Sequence, residues 1–169
     1  PPGRPKPAPE LVVAAAMFAA SERDRLMVML AAFQGLRRAE IAAVHTDDFD
    51  GAHLRVTGKG GRTRVLPVHS SVARILDDLP SGFAFPGKDH GHLSADRVGK
   101  ILKRLLGQQW SAHTLRHRFA SRAYAAERDL RAVQELLGHS KPETTARYTA
   151  VPDGALAAAV DAAACLPAA

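Results

Sequence analysis

The carboxy-terminal third of the chain contains three polar segments: His113-Thr114-Leu115-Arg116-His117-Arg118-Phe119, Leu137-Gly138-His139-Ser140 and Arg147-Tyr148. Their histidines, arginines and tyrosine do not fall where apolar periodicity places core residues. The combination suits chemistry on a phosphate group, because arginines bind its charge, a histidine can transfer protons and a phenol can attack phosphorus. The segments therefore predict a phosphate-directed site to which upstream residues must supply further cations.

Composition indicates one basic globular domain. The chain has 169 residues, a hydrophobic fraction of 46% and a net charge of +6, which allow a real core and favour an anionic partner. Its single cysteine, Cys165, excludes an intramolecular disulfide and a cysteine-based zinc cluster, and is consistent with a reducing, intracellular setting. No apolar run approaches the ~20 residues that span a bilayer, so we expect no membrane partner.

The first nine residues are expected to form a linker. They include five prolines, Arg4 and Lys6, a composition typical of an extended, solvated tether. Since the chain also lacks an initiator methionine, we expect it to be a fragment whose neighbouring domain lies upstream. The expected organisation is a linker at 1–9 and one domain at 10–169, which ends in a helix at 152–166.

Apolar periodicity and capping residues predict a mainly helical domain with one hairpin. Alternation at 53–57, a glycine-rich turn and a second run at 62–68 predict the hairpin, and Phe49 is placed on a further strand. The expected fold class is therefore α+β, mainly α-helical with a small three-stranded antiparallel sheet. The helices are expected at 10–20, after Ser21, at 37–44, after Ser70, after Ser94, from near His113, at 130–137, on the segment that carries Tyr148, and at 152–166.

Two upstream segments offer candidate cations. Arg37 follows a helix end, and Glu40 lies three residues later on the same helix face. The carboxylate can fix the guanidinium, or the two can form an ordinary surface ion pair. Lys59 lies among glycines at the hairpin tip, where it can donate a proton to a leaving oxygen or simply be an exposed turn lysine. Arg62 and Arg64 continue a positive strip that either contacts phosphates or forms a solvated strand face.

The downstream candidates also have ordinary alternatives. His113 and Arg116 share a helix face at i and i+3, while His139 follows the helix end at Gly138, where a histidine also suits the helix dipole. Tyr148 lies in a polar segment, and Tyr124 is its rival as a nucleophile; a phenol needs cations or a base to attack at neutral pH. The eight histidines give no recognisable three-ligand zinc spacing, so no metal is expected.

The order of these residues resembles the tyrosine recombinases of the phage integrase family. The resemblance rests first on the ordered residues Arg37, Lys59, His113-x-x-Arg116, the Leu-Gly-His-Ser segment and Tyr148. It rests also on three short motifs: Gly-Leu-Arg-Arg-Ala-Glu-Ile at 35–41, Gly-Lys-Gly-Gly-Arg-Thr-Arg at 58–64 and Thr-Thr-Ala-Arg-Tyr at 144–148. It covers about 10–165, essentially the catalytic domain of the family. Gln34 departs from a common threonine but is not catalytic.

The resemblance implies a role for each residue. Arg37, Arg116 and His139 bind the scissile phosphate, Tyr148 attacks to give a 3′-phosphotyrosyl link, and Lys59 protonates the leaving 5′-oxygen. His113 takes part in proton transfer and Glu40 orients the site from behind. No metal, ATP or other cofactor is required, because the covalent bond conserves the phosphoester energy. The candidates for DNA contacts are Arg38, Arg62 and Arg64.

The implied partner is double-stranded DNA, on which four copies assemble through the carboxy-terminal helix. Leu156, Val160 and Ala163 form the apolar stripe for such packing between protomers, or the stripe packs on its own domain. Accessory DNA-bending or directionality proteins and a cytoplasmic, nucleoid-associated location in a bacterial host are also implied. The alternative functions are a type IB topoisomerase, which shares much of this residue set, and a relative that only binds DNA.

Overall fold

The computed structural model describes residues 6–138 and 153–166, and within them the chain is mainly helical. The predicted helices in these ranges are confirmed, and none of them is long and apolar enough to cross a membrane. The elements are α1 (Glu10–Ala19), α2 (Glu22–Ala32), α3 (Arg38–Ala42), β1 (His53–Thr57), β2 (Thr63–Pro67), α4 (Ser70–Asp78), β3 (Pro86–Asp89), α5 (Ala95–Leu106), α6 (Ala112–Glu127), α7 (Leu130–Leu137) and α8 (Asp153–Ala164).

Helix α2 forms the centre of the core. It begins as predicted, since the Ser21 hydroxyl accepts the N–H of Asp24 at 3.2 Å. Every residue from 26 to 32 is buried, and the helix contacts α1, α4, α5 and α6. A helix that is apolar on all sides is stable only when other elements surround it. Helix α2 therefore fixes the relative positions of the helices that reach the site.

The hairpin forms where it was predicted. Strands β1 and β2 are antiparallel, with Leu54 opposite Leu66 and Val56 opposite Arg64. A single 3₁₀ turn at Lys59–Gly61 makes the tip, and Gly60 adopts a φ of 79° there, a value that favours glycine. Strand β2 ends at Pro67, as expected because proline cannot donate to a sheet ladder.

The described residues form a two-stranded sheet rather than the predicted three-stranded one. Phe49 makes only an isolated bridge to Leu54, because turns lie on both sides of it. Residues Thr46–Asp48 form a 3₁₀ helix, and the Asp50 carboxylate accepts the N–H groups of 52 and 53 at 2.9 and 2.7 Å. Phe49 itself is extended, but the two turns leave no room for a longer strand. Strand β3 bridges His92 instead of joining the sheet.

The predicted linker is anchored at its carboxy-terminal end. Ala8 is buried and its N–H donates to the carbonyl of Thr114 at 3.3 Å. A solvated tether was expected over the whole of 1–9, so this expectation is wrong at Ala8. The contact places the start of α1 against the first turn of α6, the helix that carries His113 and Arg116.

Arg118 joins three helix ends inside the core. The Arg118 side chain is only 1% exposed. Its guanidinium pairs with both carboxylate oxygens of Glu10, at 3.0 Å from Nε and 2.7 Å from Nη2. It also donates to the carbonyls of Ala32 at 2.9 Å and Ala163 at 2.6 Å. The carbonyls at a helix carboxy terminus lack intrahelical partners, so one buried cation satisfies the ends of α2 and α8.

Helix α8 packs against α6 of its own chain. Leu156, Val160 and Ala163, the stripe considered for packing between protomers, are all buried in this arrangement. The apolar face is therefore covered within one chain.

Gln34 connects the sheet to α4 and is buried. Its amide nitrogen donates to the carbonyl of Pro67 at 2.8 Å, and its amide oxygen accepts the N–H of His69 at 2.8 Å. The residue that departs from the common threonine thus holds the end of β2 next to the end of α2.

Gly35 gives the first test of the packing. It has a φ of +66°, and an added Cβ would lie 2.5 Å from Cδ1 of the buried Phe119 ring. Gly35→Ala should lower the free energy of unfolding by about 2–5 kcal/mol, because a positive φ costs about 1–2 kcal/mol and overpacking about 1–3 kcal/mol. Urea denaturation measures the loss.

Gly51→Ala is the matched control. Gly51 has a φ of +96° with no atom within 4 Å of the added Cβ. The free energy of unfolding of Gly51→Ala should therefore fall only by the cost of the positive φ, about 1–2 kcal/mol. Equal losses in the two variants would contradict the close contact between Gly35 and Phe119.

Candidate active site

The site is built around the carboxylate of Glu40, the third residue of α3. Its Oε2 accepts the N–H of Arg37 at 2.8 Å, and its Oε1 accepts Arg37 Nη1 at 3.1 Å. A glutamate at this position can reach back to the residue before the helix, as in a capping box. The side chain of Glu40 is 2% exposed, whereas that of Arg37 is 42% exposed. The guanidinium is thus held from inside and open to solvent outside.

Arg64 binds the same carboxylate from the sheet. Its Nη1 and Nη2 donate to Glu40 Oε1 and Oε2 at 2.8 and 3.0 Å, and its Nε donates to the carbonyl of Leu136 at 2.9 Å. The predicted outward-facing strip therefore does not include Arg64, whose side chain is only 13% exposed. The reason is the strand register, which places Arg64 opposite the buried Val56 on the inner face of the hairpin.

Arg116 reaches the cluster from α6 and is itself buried. Its Nη1 donates to the carbonyl of Gly35 and its Nη2 to that of Leu137, both at 2.6 Å. Nη1 also lies 4.0 Å from Glu40 Oε2. These bonds tie the end of α2, the end of α7 and the middle of the site to one guanidinium.

The cluster carries an excess of positive charge, with three arginines against one glutamate. Burial, together with the charges of Arg37 and Arg64, lowers the pKa of Arg116 to about 10, although Glu40 acts in the opposite direction. Burial alone raises the pKa of Glu40, but the hydrogen bonds and charges of Arg64 and Arg37 bring it below its ordinary value. An anion placed beside Arg37 and Arg116 would offset this repulsion.

Two histidines lie on the amino-terminal half of α6. Nε2 of His113 and Nε2 of His117 are 3.0 Å apart, and their rings meet edge to face at a centroid distance of 4.5 Å. Burial first, and then the charges of His113 and Arg116, lower the pKa of His117. A neutral His117 can therefore share one proton with His113, which is the more exposed of the two.

The remaining predicted cations lie at the surface. Lys59 and Arg62 are exposed on the hairpin tip and its return. Arg38 is exposed too, and a Cβ added to Gly99 of α5 would lie 3.4 Å from its guanidinium. The structure thus brings Arg37, Glu40, Arg64 and Arg116 into direct contact, whereas Lys59, Arg62 and Arg38 lie at the surface. Arg64 as the partner of Glu40 was missed, although its alternation with Leu66 could have shown its inward direction.

His139 and Tyr148 lie outside the described residues. Their rival Tyr124 is described and is 44% exposed on α6. It follows Arg116 by eight residues, which corresponds to about 12 Å along the helix axis. In residues 6–138 and 153–166, no group of three histidine, cysteine or acidic side chains has a metal-binding arrangement.

Glu40→Gln tests the central role of the carboxylate. The amide keeps the shape but leaves buried guanidinium groups without a countercharge, so the free energy of unfolding at neutral pH should fall by about 3–5 kcal/mol. Because the folded pKa of Glu40 lies below its ordinary 4.5, this contribution is full above pH 4.5 and is lost as the pH falls through the folded value. Denaturation of both proteins as a function of pH measures the difference.

Asp96→Asn is the control for that experiment. Asp96 pairs with Lys100 at 2.9 Å, but both side chains are largely exposed. The free energy of unfolding of Asp96→Asn should therefore fall much less than that of Glu40→Gln. A Glu40→Gln protein as stable as wild type at neutral pH would show that the cluster does not depend on the carboxylate.

Comparison with known proteins shows that this chain is similar to tyrosine recombinases and integrases. The tyrosine recombinase XerC of Syntrophus aciditrophicus (strain SB) is 36% identical over 162 residues, which cover 82% of this chain and 52% of the relative. The integrase from mycobacterium phage Brujita superposes with a TM-score of 0.83 at 37% identity, over 95% of this chain and 58% of that one. The chain therefore spans about half the length of these relatives.

A third comparison concerns the fold alone. The XerH site-specific recombinase, crystallised with a palindromic difH substrate in a post-cleavage complex, matches with a TM-score of 0.66 at 22% identity, over 81% of this chain and 47% of that one. The profile of the phage integrase family matches residues 4–154, which is most of the chain. The resemblance noted in the sequence is thus confirmed, and the chain belongs to the phage integrase family.

Proposed function

We propose that this chain is the catalytic part of a site-specific DNA recombinase, which cleaves and rejoins DNA strands through a 3′-phosphotyrosyl intermediate. The observation that carries the proposal is the pair of arginines from distant segments, Arg37 and Arg116, held beside one buried carboxylate. Guanidinium groups form planar, bidentate contacts to phosphate oxygens. The surplus positive charge of the cluster is suited to the additional negative charge of a phosphoryl transition state.

In the proposed reaction Tyr148 attacks the scissile phosphorus. Its phenolic oxygen forms the new P–O bond while the bond from phosphorus to the 5′-oxygen breaks. Arg37, Arg116 and His139 bind the nonbridging oxygens, and Lys59 donates a proton to the departing 5′-oxygen. The 5′-hydroxyl of another strand can then attack the phosphotyrosyl bond, so that rejoining needs neither ATP nor a metal ion.

His113 is proposed to transfer the tyrosine proton. The position of His113 one turn before Arg116 on α6 supports this role, since both side chains then face the same region. The contact with His117 at 3.0 Å gives His113 a neighbouring group that can share a proton.

Double-stranded DNA is the proposed partner. A net charge of +6 and the exposed Lys59, Arg38 and Arg62 support binding to a polyanion. XerH, a site-specific recombinase that is a neighbour in fold, was crystallised with a palindromic difH substrate. Arg38 and Arg62 are proposed to contact backbone phosphates, whereas the inward Arg64 is not.

Assembly and domain organisation are also proposals. We infer a homotetramer on DNA, in a bacterial cytoplasm, with accessory DNA-bending or directionality proteins. Residues 1–9 are proposed to connect to a further DNA-binding domain, and 10–169 to form the catalytic domain. Assembly through α8 requires that its face be shared or released, because Leu156, Val160 and Ala163 are buried against their own chain.

A covalent trapping experiment tests the nucleophile. A duplex is selected from a randomised DNA pool by its binding to the full-length protein, and is then nicked near the scissile phosphate so that cleavage releases a short fragment. Wild type should form a protein–DNA adduct on a denaturing gel, and Tyr148→Phe should form none, because the phenol oxygen makes the covalent bond.

Tyr124→Phe is the matched control and should form the adduct at the wild-type rate. An adduct that survives Tyr148→Phe and disappears with Tyr124→Phe would overturn the assignment of the nucleophile. Relaxation of a supercoiled plasmid without pairing of two sites would indicate the topoisomerase alternative, and binding without any adduct would indicate a relative that only binds DNA.

Arg37→Ala tests the phosphate clamp. Its single-turnover cleavage rate on the same duplex should fall by about 10²–10³-fold, the usual loss for one donor to a developing oxyanion, whereas the affinity for the uncleaved duplex should change little. Arg55→Ala, which removes an exposed arginine 3.9 Å from Asp48, should keep the wild-type rate. Equal rates for the two variants would remove Arg37 from the catalytic set.

A further inference from the structure

Two glycines of the described chain lie against the Glu40–Arg64 ion pair. A Cβ added to Gly58 would be 3.2 Å from Glu40 Oε1 and 3.9 Å from Arg64 Nη1. A Cβ added to Gly138 would be 3.1 Å from both Cδ and Nη1 of Arg64. The ion pair therefore occupies the space that a side chain would fill at both positions.

The backbone of Gly58 does not itself require glycine, since its φ is −97°. What favours glycine is the close approach to the carboxylate, since an added Cβ 3.2 Å from Glu40 Oε1 would require Glu40 to shift by a few tenths of an ångström. The hairpin tip is built on this residue. The N–H of Gly58 donates to the carbonyl of Arg62 at 2.8 Å, and its own carbonyl accepts the N–H of Gly61 at 3.2 Å. Gly58, where the tip of the hairpin begins, thus lies against Glu40 and Arg64.

Gly138 has two reasons to be glycine. It ends α7 with a φ of 63°, and it lies beside the Arg64 side chain. The Leu136 carbonyl, two residues earlier, accepts Arg64 Nε at 2.9 Å. The end of α7 is therefore fastened to the same guanidinium that holds Glu40 by two hydrogen bonds.

The next residue after each glycine carries a proposed chemical role: Lys59 follows Gly58 and His139 follows Gly138. We propose that Arg64 is a positioning residue. It fixes Gly58 and Gly138, the residues that precede Lys59 and His139, relative to the carboxylate that also holds Arg37. The inference rests on the proposed function of Lys59 and His139. It replaces the sequence-based expectation that Arg64 contacts DNA.

The chemistry of the guanidinium explains why an arginine is needed here. Arg64 uses Nε and both terminal nitrogens at once, to bind partners on two elements, α3 and α7. A lysine ammonium keeps the charge but cannot match this planar fork. Arg64→Lys should therefore keep a countercharge for Glu40 while it loosens the hairpin root and the end of α7.

A leaving-group substitution separates positioning from DNA contact. The selected duplex is prepared with an ordinary phosphodiester and, in parallel, with sulfur in place of the bridging 5′-oxygen. A thiol, with a pKa near 8.5, leaves as the thiolate without a proton donor. Lys59→Met provides the reference, since its defect should disappear on the sulfur substrate.

Arg64→Lys in the full-length protein should cleave the ordinary duplex about 10²-fold more slowly than wild type, the loss expected for a displacement of about 1 Å. On the sulfur substrate it should recover at least about tenfold, because the part of the defect that runs through Lys59 no longer matters. Its DNA affinity and the salt dependence of binding should match wild type. Arg55→Lys, a change at an exposed arginine of the same hairpin, should show no sulfur-specific recovery.

Gly58→Ala provides an independent variant that keeps every charge. The added Cβ would displace Glu40 without backbone strain. Gly58→Ala should therefore cleave the ordinary duplex about tenfold more slowly than wild type, and its rate should recover on the sulfur substrate as that of Arg64→Lys does. Gly154→Ala, where nothing lies within 4 Å of the added Cβ, should behave as wild type. If Arg64→Lys does not fold, as judged by circular dichroism, Gly58→Ala decides the question.

Three results would overturn the inference while leaving the proposed function intact, provided that wild type forms the adduct. The first is a wild-type cleavage rate for both Arg64→Lys and Gly58→Ala. The second is a loss that sulfur does not reduce. The third is a lower affinity of Arg64→Lys for the uncleaved duplex that accounts for its slower cleavage, which would mark a lost DNA contact, because lysine keeps the charge but not the bidentate geometry. Absence of an adduct with wild type would instead contradict the proposed function itself.

Discussion

The buried carboxylate of Glu40 is the interaction on which the rest of the site depends. An isolated charge inside a protein is costly, so it must be paired and hydrogen-bonded. Arg37 and Arg64 meet this requirement from opposite sides, one at the start of α3 and one on β2. Arg116 adds a third cation at 4.0 Å. The need to satisfy one anion thus brings together segments that are far apart in the chain, and leaves an excess of positive charge of which Arg37 is the exposed part.

Helix α6 carries one arginine toward the site and another toward the core. Arg116 and Arg118 are two residues apart, and a rotation of about 200° places them on opposite sides of the helix. Arg116 holds the ends of α2 and α7 near the carboxylate. Arg118 pairs with Glu10 and satisfies the carbonyl of Ala163 near the end of α8. Loss of order at the first residue of α1 or at the end of α8 would therefore act on the helix that carries the clamp arginine.

Local signals made much of this fold predictable. Ser21 and Ser94 cap their helices as expected, and the alternation at 53–57 forms the first strand of a hairpin. The predicted strand at Phe49 failed because turns on both sides cut it to one bridge. Arg64 was expected either to contact phosphates or to lie on a solvated strand face, but the pairing with Val56 places it inside.

The sequence by itself determined most helices, the hairpin and the family, and it named candidate residues for phosphoryl chemistry, because capping, periodicity and short motifs are local properties of the chain. Only the tertiary structure decided which cations share one anion and which face solvent. Arg37, Arg62 and Arg64 look alike in the sequence, yet Arg64 is committed to Glu40 and Leu136 while Arg37 stays 42% exposed. The difference arises from burial and strand register, which depend on contacts between residues 24 to 72 positions apart.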